Sequence, residues 1–423
     1  MTTKTTHTTL AWLVTLTASL FFFYQFLQMN FFNTINEQLR EAYHLDALQL
    51  GQLFAMYFYA NFLFLFPAGS LLDRYSPRKI LMAAVALSTV GTFIFSISSV
   101  YWVASLGRFM VGASAAFCFL SCIRIASNWF PPHRMAFVTG VVVTMAMLGG
   151  LVAQTPFASL VNCLGDWRHA LLVDTALGAV ILLAVFFIVQ DHPPDAKKTT
   201  VDHQQHLREL GLWRCIKLAA LNPQNWLAGL YTALLNLPVF ILGGLWGILY
   251  LTRVHQVTQE QASYATTIFF MGVILGSLCY GYLSDHLARR VLPMIIGAIT
   301  SIAIICILMF SGSLPLWSLI TLFFLTGFFT SSQVLTYPLI AELNPGYLSS
   351  TALSINSLCI MGSGFVIPAV FGWLMQWGKE SSAQVYTADD FNRAMLMIPI
   401  AFVLGLIITF ILRESYCQQA GEK

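Results

Sequence analysis

Charged residues divide this chain into long uncharged stretches, and the length of those stretches fixes what it can fold into. Between successive Asp, Glu, Lys or Arg residues lie 32 residues from Thr5 to Asn36, 26 from Ala47 to Leu72, and 28 from Ile80 to Gly107. Further on come 31 from Met135 to Gly165, 35 from Leu218 to Thr252, 24 from Gln261 to Ser284 and 36 from Leu343 to Gly378. Crossing about 30 Å of hydrocarbon takes about 20 helical residues. The 51-residue run from Val291 to Ala341 contains a Gly312-Ser313-Leu314-Pro315 turn and makes two spans. Thr175 to Gln190 and Ala394 to Leu412 supply one each, and Tyr101 to Phe130 another, although it carries Arg108 and Arg124. The reading is an all-α polytopic membrane protein of twelve transmembrane helices.

The expected spans are 10–33, 49–72, 79–99, 101–129, 135–160 and 169–189, then 224–250, 262–283, 291–311, 315–341, 351–377 and 393–413. An even number places both termini on one side. Loop Lys and Arg residues number fourteen on that side and five on the other, so both termini are expected in the cytoplasm. Only 9% of residues are charged while 57% are apolar or aromatic, which excludes a soluble globule and a disordered chain. A net charge of +3, scattered over short connectors, gives nucleic acid no binding stripe. The first span is longer than a signal peptide's apolar segment and is expected to be retained. The eight cysteines form no C-x-x-C pair and mostly lie inside spans, so neither a disulfide nor a metal site is expected, and no cofactor is implied.

The chain is an internal repeat. A shift of 212 lays Gly69, Leu71, Asp73 and Arg78 over Gly281, Leu283, Asp285 and Arg290, and also Gly150 over Gly362 and Pro156 over Pro368. Two six-span bundles follow, 1–190 and 223–423, joined by a polar linker at 191–222. Pseudo-symmetric halves around a central site are a transporter architecture. In the linker, HLRELGLWRCIKL interleaves Arg208, Arg214 and Lys217 with Leu207, Leu210, Trp213 and Ile216. It reads equally as a helix on the anionic inner leaflet and as a solvated connector.

These residues resemble the major facilitator superfamily of secondary transporters over nearly the whole chain. The likeness rests on the loop Gly69-Ser-Leu-Leu-Asp73-Arg74-Tyr-Ser-Pro-Arg78-Lys79, echoed at Gly281-Tyr-Leu-Ser-Asp285-His-Leu-Ala-Arg289-Arg290. It also rests on Arg108-Phe-Met-Val-Gly112 and on Asp166-Trp167-Arg168 before span six. A narrower likeness, to the branch containing the lysosomal dipeptide carrier and its bacterial relatives, comes from three segments. They are Arg124-Ile-Ala-Ser-Asn-Trp-Phe-Pro-Pro-His-Arg134, Glu342-Leu-Asn-Pro345 and Met361-Gly-Ser-Gly-Phe-Val-Ile-Pro368. The chain departs from that branch late in span one, where relatives often carry a basic residue and this sequence reads Gln28-Met29-Asn30. The resemblance implies two six-helix bundles and alternating access. It further implies that Asp73, Arg74, Arg78, Asp285 and Arg290 form inter-helix ion pairs with inner-face acids such as Glu342, favouring the outward-open state; without it, the same residues only set topology.

A charge deep in a span needs a partner, a water-filled cavity or a function. Arg108 lies about seven residues, roughly 10 Å, inside span four, with Gln28 at similar depth in span one. It either faces the solute cavity and handles an anionic group, or is satisfied by Gln28, Gln25 and main-chain carbonyls. Arg124, near the inner end of span four, either snorkels to the headgroups or holds a carboxylate. Asp174 either pairs with a neighbouring helix or titrates during transport. Neutral candidates for solute contact are Tyr24, Gln25, Gln28, Tyr57, Asn61, Asn236, Gln333, Tyr337 and Asn356; each is also a plausible helix–helix contact. Asn236-Leu-Pro238 and Gly243-Gly244 are placed to break span seven. Gly149, Gly150, Gly362 and Gly364 read as sites of close helix approach.

No phosphate-binding loop is present, which argues against ATP-driven pumping, and every His lies in a tail, a connector or a helix end. The expected function is a secondary active or facilitative transporter of a small carboxylate-bearing solute: an organic acid, an amino acid or a short peptide. Its partners would be that solute, a proton or other coupling ion, and the lipid bilayer, in a monomer of the bacterial inner membrane. The alternatives are a drug or siderophore exporter of the same fold and, outside the class, a polytopic membrane enzyme or a non-transporting sensor.

Overall fold

A computed structural model describes residues 2–130, 135–193, 212–312, 314–345, 348–377 and 386–418. Among these residues every element is helical. The first half runs α1 (Thr2–Asn30), α2 (Asn36–Tyr43), α3 (Ala47–Arg74), α4 (Pro77–Ile97), α5 (Tyr101–Trp129), α6 (Met135–Val152), α7 (Thr155–Leu164) and α8 (Trp167–Ile188). After α9 (Leu212–Leu221), in the linker, come α10 (Pro223–Leu235), α11 (Gly247–Val254), α12 (Gln259–Leu287), α13 (Val291–Phe310) and α14 (Leu316–Thr330). The chain closes with α15 (Thr336–Leu343), α16 (Ser349–Gln376), α17 (Ala388–Met395) and α18 (Met397–Ile411). The segment 206–211 of the basic linker lies outside the described residues.

Among the described residues eleven helices are long and apolar enough to cross a membrane, and the bent pair of α6 and α7, meeting at 41°, brings the number to twelve when taken as one span. The bend falls within the expected fifth span. There α6 stops at Val152, and Pro156, in the first turn of α7, has no N–H to carry the helix across the break. Its repeat mate Pro368 sits inside the continuous helix α16. The outer surface fits lipid: Trp102, Phe187, Tyr282, Phe310 and Trp317 are 71–75% exposed, while Arg108, Asp174, Gln25 and Gln28 are buried. Polar groups turned inward and aromatics turned outward describe a multi-pass membrane protein.

The described chain forms two compact units. One comprises 1–197 with 244–249 and 368–384; the other comprises 198–243, 250–367 and 385–423. In the first unit the added segment 244–249 is held by main-chain bonds: the Ile248 N–H donates to Asn33 Oδ1 at 2.9 Å, and Asn36 Nδ2 donates to the Leu245 carbonyl at 2.6 Å.

Helix α4 shows how each unit is pinned. Asp191, just past α8, accepts from the Arg78 N–H at 2.8 Å and from the Ser76 hydroxyl, filling the donors left open at the start of α4. At the other end Arg168, in the first turn of α8, donates to the carbonyls of Ser96 (3.1 Å) and Ser98, where α4 ends. An acid thus meets the positive end of the α4 dipole and a base its negative end. The second unit repeats half of this device. Glu414, past α18, accepts from the N–H groups of Arg290 (2.6 Å) and Val291 (2.9 Å) at the start of α13.

Two glycines set helix distances. A Cβ on Gly112 would collide with the main chain of Tyr57, so α5 lies directly against α3, and one on Gly149 would collide with the Phe23 carbonyl of α1. Gly362 is different from what its sequence context suggests, because a Cβ there meets open space. Span seven breaks where the sequence indicates. Helix α10 ends at Leu235, a π-helical turn covers Val239–Leu245, and α11 starts at Gly247.

Candidate functional site

Six polar side chains from four helices of the first unit converge on one buried cluster around Arg108. Tyr24, Gln25 and Gln28 occupy successive turns of α1, Tyr57 comes from α3, Arg108 from α5 and Asp174 from α8. Arg108 is completely buried. Its Nη1 donates to the Gln28 carbonyl at 2.8 Å, and its guanidinium carbon lies 4.4 Å from the Phe32 ring centroid, 5.3 Å from Tyr57 and 5.5 Å from Phe31. Aromatic faces attract a cation but accept few hydrogen bonds. Nε and Nη2 therefore have no partner among the described residues. Gln25 does not help: its amide is taken by Ser88 (3.0 Å), Ser114 (2.9 Å) and the Tyr57 hydroxyl (3.4 Å). Gln28 supplies its carbonyl but not its side chain, which donates instead to Asp174 Oδ2.

Asp174 is likewise buried, and its Oδ1 has no partner among the described residues. Of the two readings that the sequence leaves open, inter-helix pairing is present, through an amide and not through a cation. Tyr24 donates to Thr92 Oγ1 at 3.3 Å. Asn61, one turn beyond Tyr57 on α3, is buried but has no hydrogen bond to the cluster. Arg124 lies sixteen residues, roughly 24 Å, further along α5. It is partly exposed, and its guanidinium has no partner among the described residues.

In the second unit Gln333 Nε2 donates to Asn236 Oδ1 at 3.0 Å, joining the two broken helices, since Gln333 lies in a 3₁₀ turn and Asn236 caps α10. The Gln333 Oε1 atom and both amide atoms of the fully buried Asn356 have no partner among the described residues. Tyr337, four residues beyond Gln333, is 39% exposed.

The gating candidates meet where the repeat predicts in the second unit. Arg290 Nη2 donates to Glu342 Oε1 at 2.7 Å, its Nε sits 3.2 Å from both carboxylate oxygens, and its Nη1 reaches Asp285 at 2.6 Å and Ser284 at 2.9 Å. Ser415 adds a 2.6 Å bond to Glu342. Burial alone would lower the Arg290 pKa; the bonds to Glu342 and Asp285 outweigh it and hold the pKa above the ordinary arginine value. In the first unit the Arg78 guanidinium donates to the Phe186 carbonyl of α8, and its main chain is held by Asp191. The side chains of Asp73 and Arg74 lie outside the described residues.

Sequence reasoning passed over Phe31, Phe32, Asp191 and Glu414. The aromatic pair looks like ordinary apolar filling, and the two acids fall in connectors, where charge is common. A signal for the acids did exist: each follows the last span of its half.

Comparison with known proteins decides the family. A sequence model of the Major Facilitator Superfamily matches residues 17–250 and 228–416. The chain belongs to this superfamily. Among curated superfamily members, the probable sulfoacetate transporter SauU of Cupriavidus necator is 25% identical, over 80% of this chain and 81% of its own length. The D-galactonate transporter of Escherichia coli is 24% identical, over 82% and 85%. Among solved structures, an inward-facing bacterial homologue of the human lysosomal transporter Spinster superposes with a TM-score of 0.75 at 15% identity, covering 96% of this chain and 97% of that one. The twelve-span major facilitator fold and membership among transporters are thereby established for this chain, and its curated relatives include carriers of organic acids.

Proposed function

We propose that this superfamily member moves a small carboxylate-bearing solute across the membrane by alternating access, and that Arg108 holds the solute's carboxylate. One observation carries the reading: a buried guanidinium with no acidic partner among the described residues and two nitrogens without acceptors. A cation in that position is costly unless something anionic arrives, and a carboxylate meets an arginine with two parallel N–H bonds. Phe31, Phe32 and Tyr57 close over it, so solute entry requires these rings to part. The named substrates of the relatives, sulfoacetate and D-galactonate, are acids of this kind and support the same class.

The other polar candidates fit supporting places. Gln25, Tyr57 and Asn61 would orient the solute beside Arg108, and Asn236, Gln333, Tyr337 and Asn356 would be polar contacts for a solute within the second bundle. Arg124, half exposed at the far end of α5, would serve as a station along the path. The Arg290–Glu342–Asp285 cluster would be a gate that holds its helices together at the inner face. In this reading 1–190 and 223–423 are the two moving bundles, and the loop charges support cytoplasmic termini in a bacterial inner-membrane protein.

Binding is the test. A ligand that binds only the folded state raises its thermal stability. Purified protein should be stabilised by one or more of sulfoacetate, D-galactonate, D-glucarate, tartrate, an amino acid or a dipeptide, and not by D-galactose or a cationic drug. Arg108→Gln should abolish that stabilisation. Stabilisation by the cationic drug alone, unchanged in Arg108→Gln, would replace this reading with an exporter.

A further inference from the structure

Asp174 and Arg108 are two buried ionisable groups of opposite sign in the same unit, yet they do not pair. Gln28 stands between them and touches both, accepting from Arg108 on its main-chain oxygen and donating to Asp174 from its side-chain nitrogen. Asp174 Oδ1 has no donor among the described residues, and Arg108 Nε and Nη2 have no acceptor.

A carboxylate oxygen bare of donors in a buried site is costly, and a proton on that oxygen removes the charge. The surroundings suit a proton better than a metal cation. Gln28 turns an N–H, not its oxygen, toward the carboxyl. The Tyr24 hydroxyl, which interacts electrostatically with Asp174, donates away to Thr92. Among the elements packed against α8, α1 brings Tyr24 and Gln28 and α4 brings the neutral Thr89 and Thr92; the one titratable group on α7 is Cys163, which is exposed. Arg108 of α5 faces Asp174 through Gln28, and Arg168 and His169 lie one to two turns nearer the start of α8.

We propose that Asp174 carries a coupling proton and that Gln28 transmits its protonation state to Arg108. This inference rests on the carboxylate reading above. With Asp174 protonated, as the geometry fits, Arg108 keeps two N–H directions free for the solute's carboxylate. When the proton leaves to water, the electron pair stays on Oδ1 and the new anion needs a cation. Arg108 is the one within reach of a Gln28 movement. The Asp174 carboxylate then competes with the solute for the same guanidinium, so solute and proton bind together and leave together. Arg108 is read here as shared between them, and Gln28 acts as a positioning residue.

The test uses full-length protein in two formats. In infrared difference spectra between acid and alkaline buffers, without solute, wild type should show a protonated-carboxyl band that Asp174→Asn removes. Gln28→Leu, which keeps the acid but loses its amide donor, should shift the pH midpoint of that band. In proteoliposomes supplied with D-galactonate, sulfoacetate or tartrate, an inward proton gradient should drive accumulation by wild type. Asp174→Asn should lose accumulation out of proportion to any loss in counterflow, whereas a purely structural defect would lower both together. A spectrum with no Asp174-dependent band, or gradient-driven accumulation retained in Asp174→Asn, would overturn the proposal. If no acid is moved by wild type, the carboxylate reading fails, and the infrared band still decides whether Asp174 takes up a proton.

Discussion

Replacing Arg290 by Gln should damage the second unit far more than replacing Asp285 by Asn, although Arg290 touches both acids at hydrogen-bond distance. The exposure of the partners sets the difference. The Arg290 side chain is 9% exposed and that of Glu342 16%, whereas that of Asp285 is 70% exposed. Removing the guanidinium leaves Glu342, in a largely buried position, with the Ser415 hydroxyl alone among the described residues to serve it, and breaking one partner of a buried pair costs roughly 3–5 kcal/mol. The Asp285 contact faces water, where such pairs contribute about 0–1 kcal/mol. A double-mutant cycle on SDS unfolding in mixed micelles separates the two. The Arg290–Glu342 coupling should come out near 2 kcal/mol or above and hold in high salt, and the Arg290–Asp285 coupling below about 1 kcal/mol and fade with salt. Equal couplings, or a neutral Arg290→Gln, would refute the assignment of this cluster as a buried inter-helix tie.

Three further outcomes follow from particular contacts. Gly112→Ala puts a methyl into the main chain of Tyr57; forcing α5 off α3 should cost about 1–3 kcal/mol and lower the fraction of monodisperse protein surviving a heat step. Asp191→Asn and Glu414→Gln should each weaken one helix start by about 1 kcal/mol, seen as faster hydrogen exchange confined to the first turn of α4 in one variant and of α13 in the other. His255, buried beside Tyr250 with ring centroids 5.4 Å apart, has its pKa lowered by burial. The unfolded chain therefore takes up a proton that the folded chain refuses as pH falls below about 6.5, so stability should decline with acidification over that window, and His255→Gln should flatten the decline in a thermal-melt series.

The spans, their repeat and the break in span seven were legible because they depend on local properties: run length, the position of loop charges, and a proline beside glycines. The depth of Arg108 and Gln28 was legible for the same reason, since counting residues along a helix measures depth. What could not be read was which way each helix faces. In a span that is apolar all round, the sequence marks no inward side, so the meeting of Gln28 with Asp174, 146 residues apart, depends on how α1 and α8 rotate against each other. The same ignorance hid Phe31 and Phe32, whose rings give Arg108 a surface without acceptors.

Counterflow tests most directly whether Arg108 binds a solute carboxylate. Purified protein in liposomes preloaded with an unlabelled acid should take up the same labelled acid, with sulfoacetate, D-galactonate and tartrate as probes. Uptake by wild type, its loss in Arg108→Gln in protein that still elutes as a folded species, and partial return in Arg108→Lys are the results this account predicts. Carboxylate counterflow that proceeds undiminished in Arg108→Gln would contradict it.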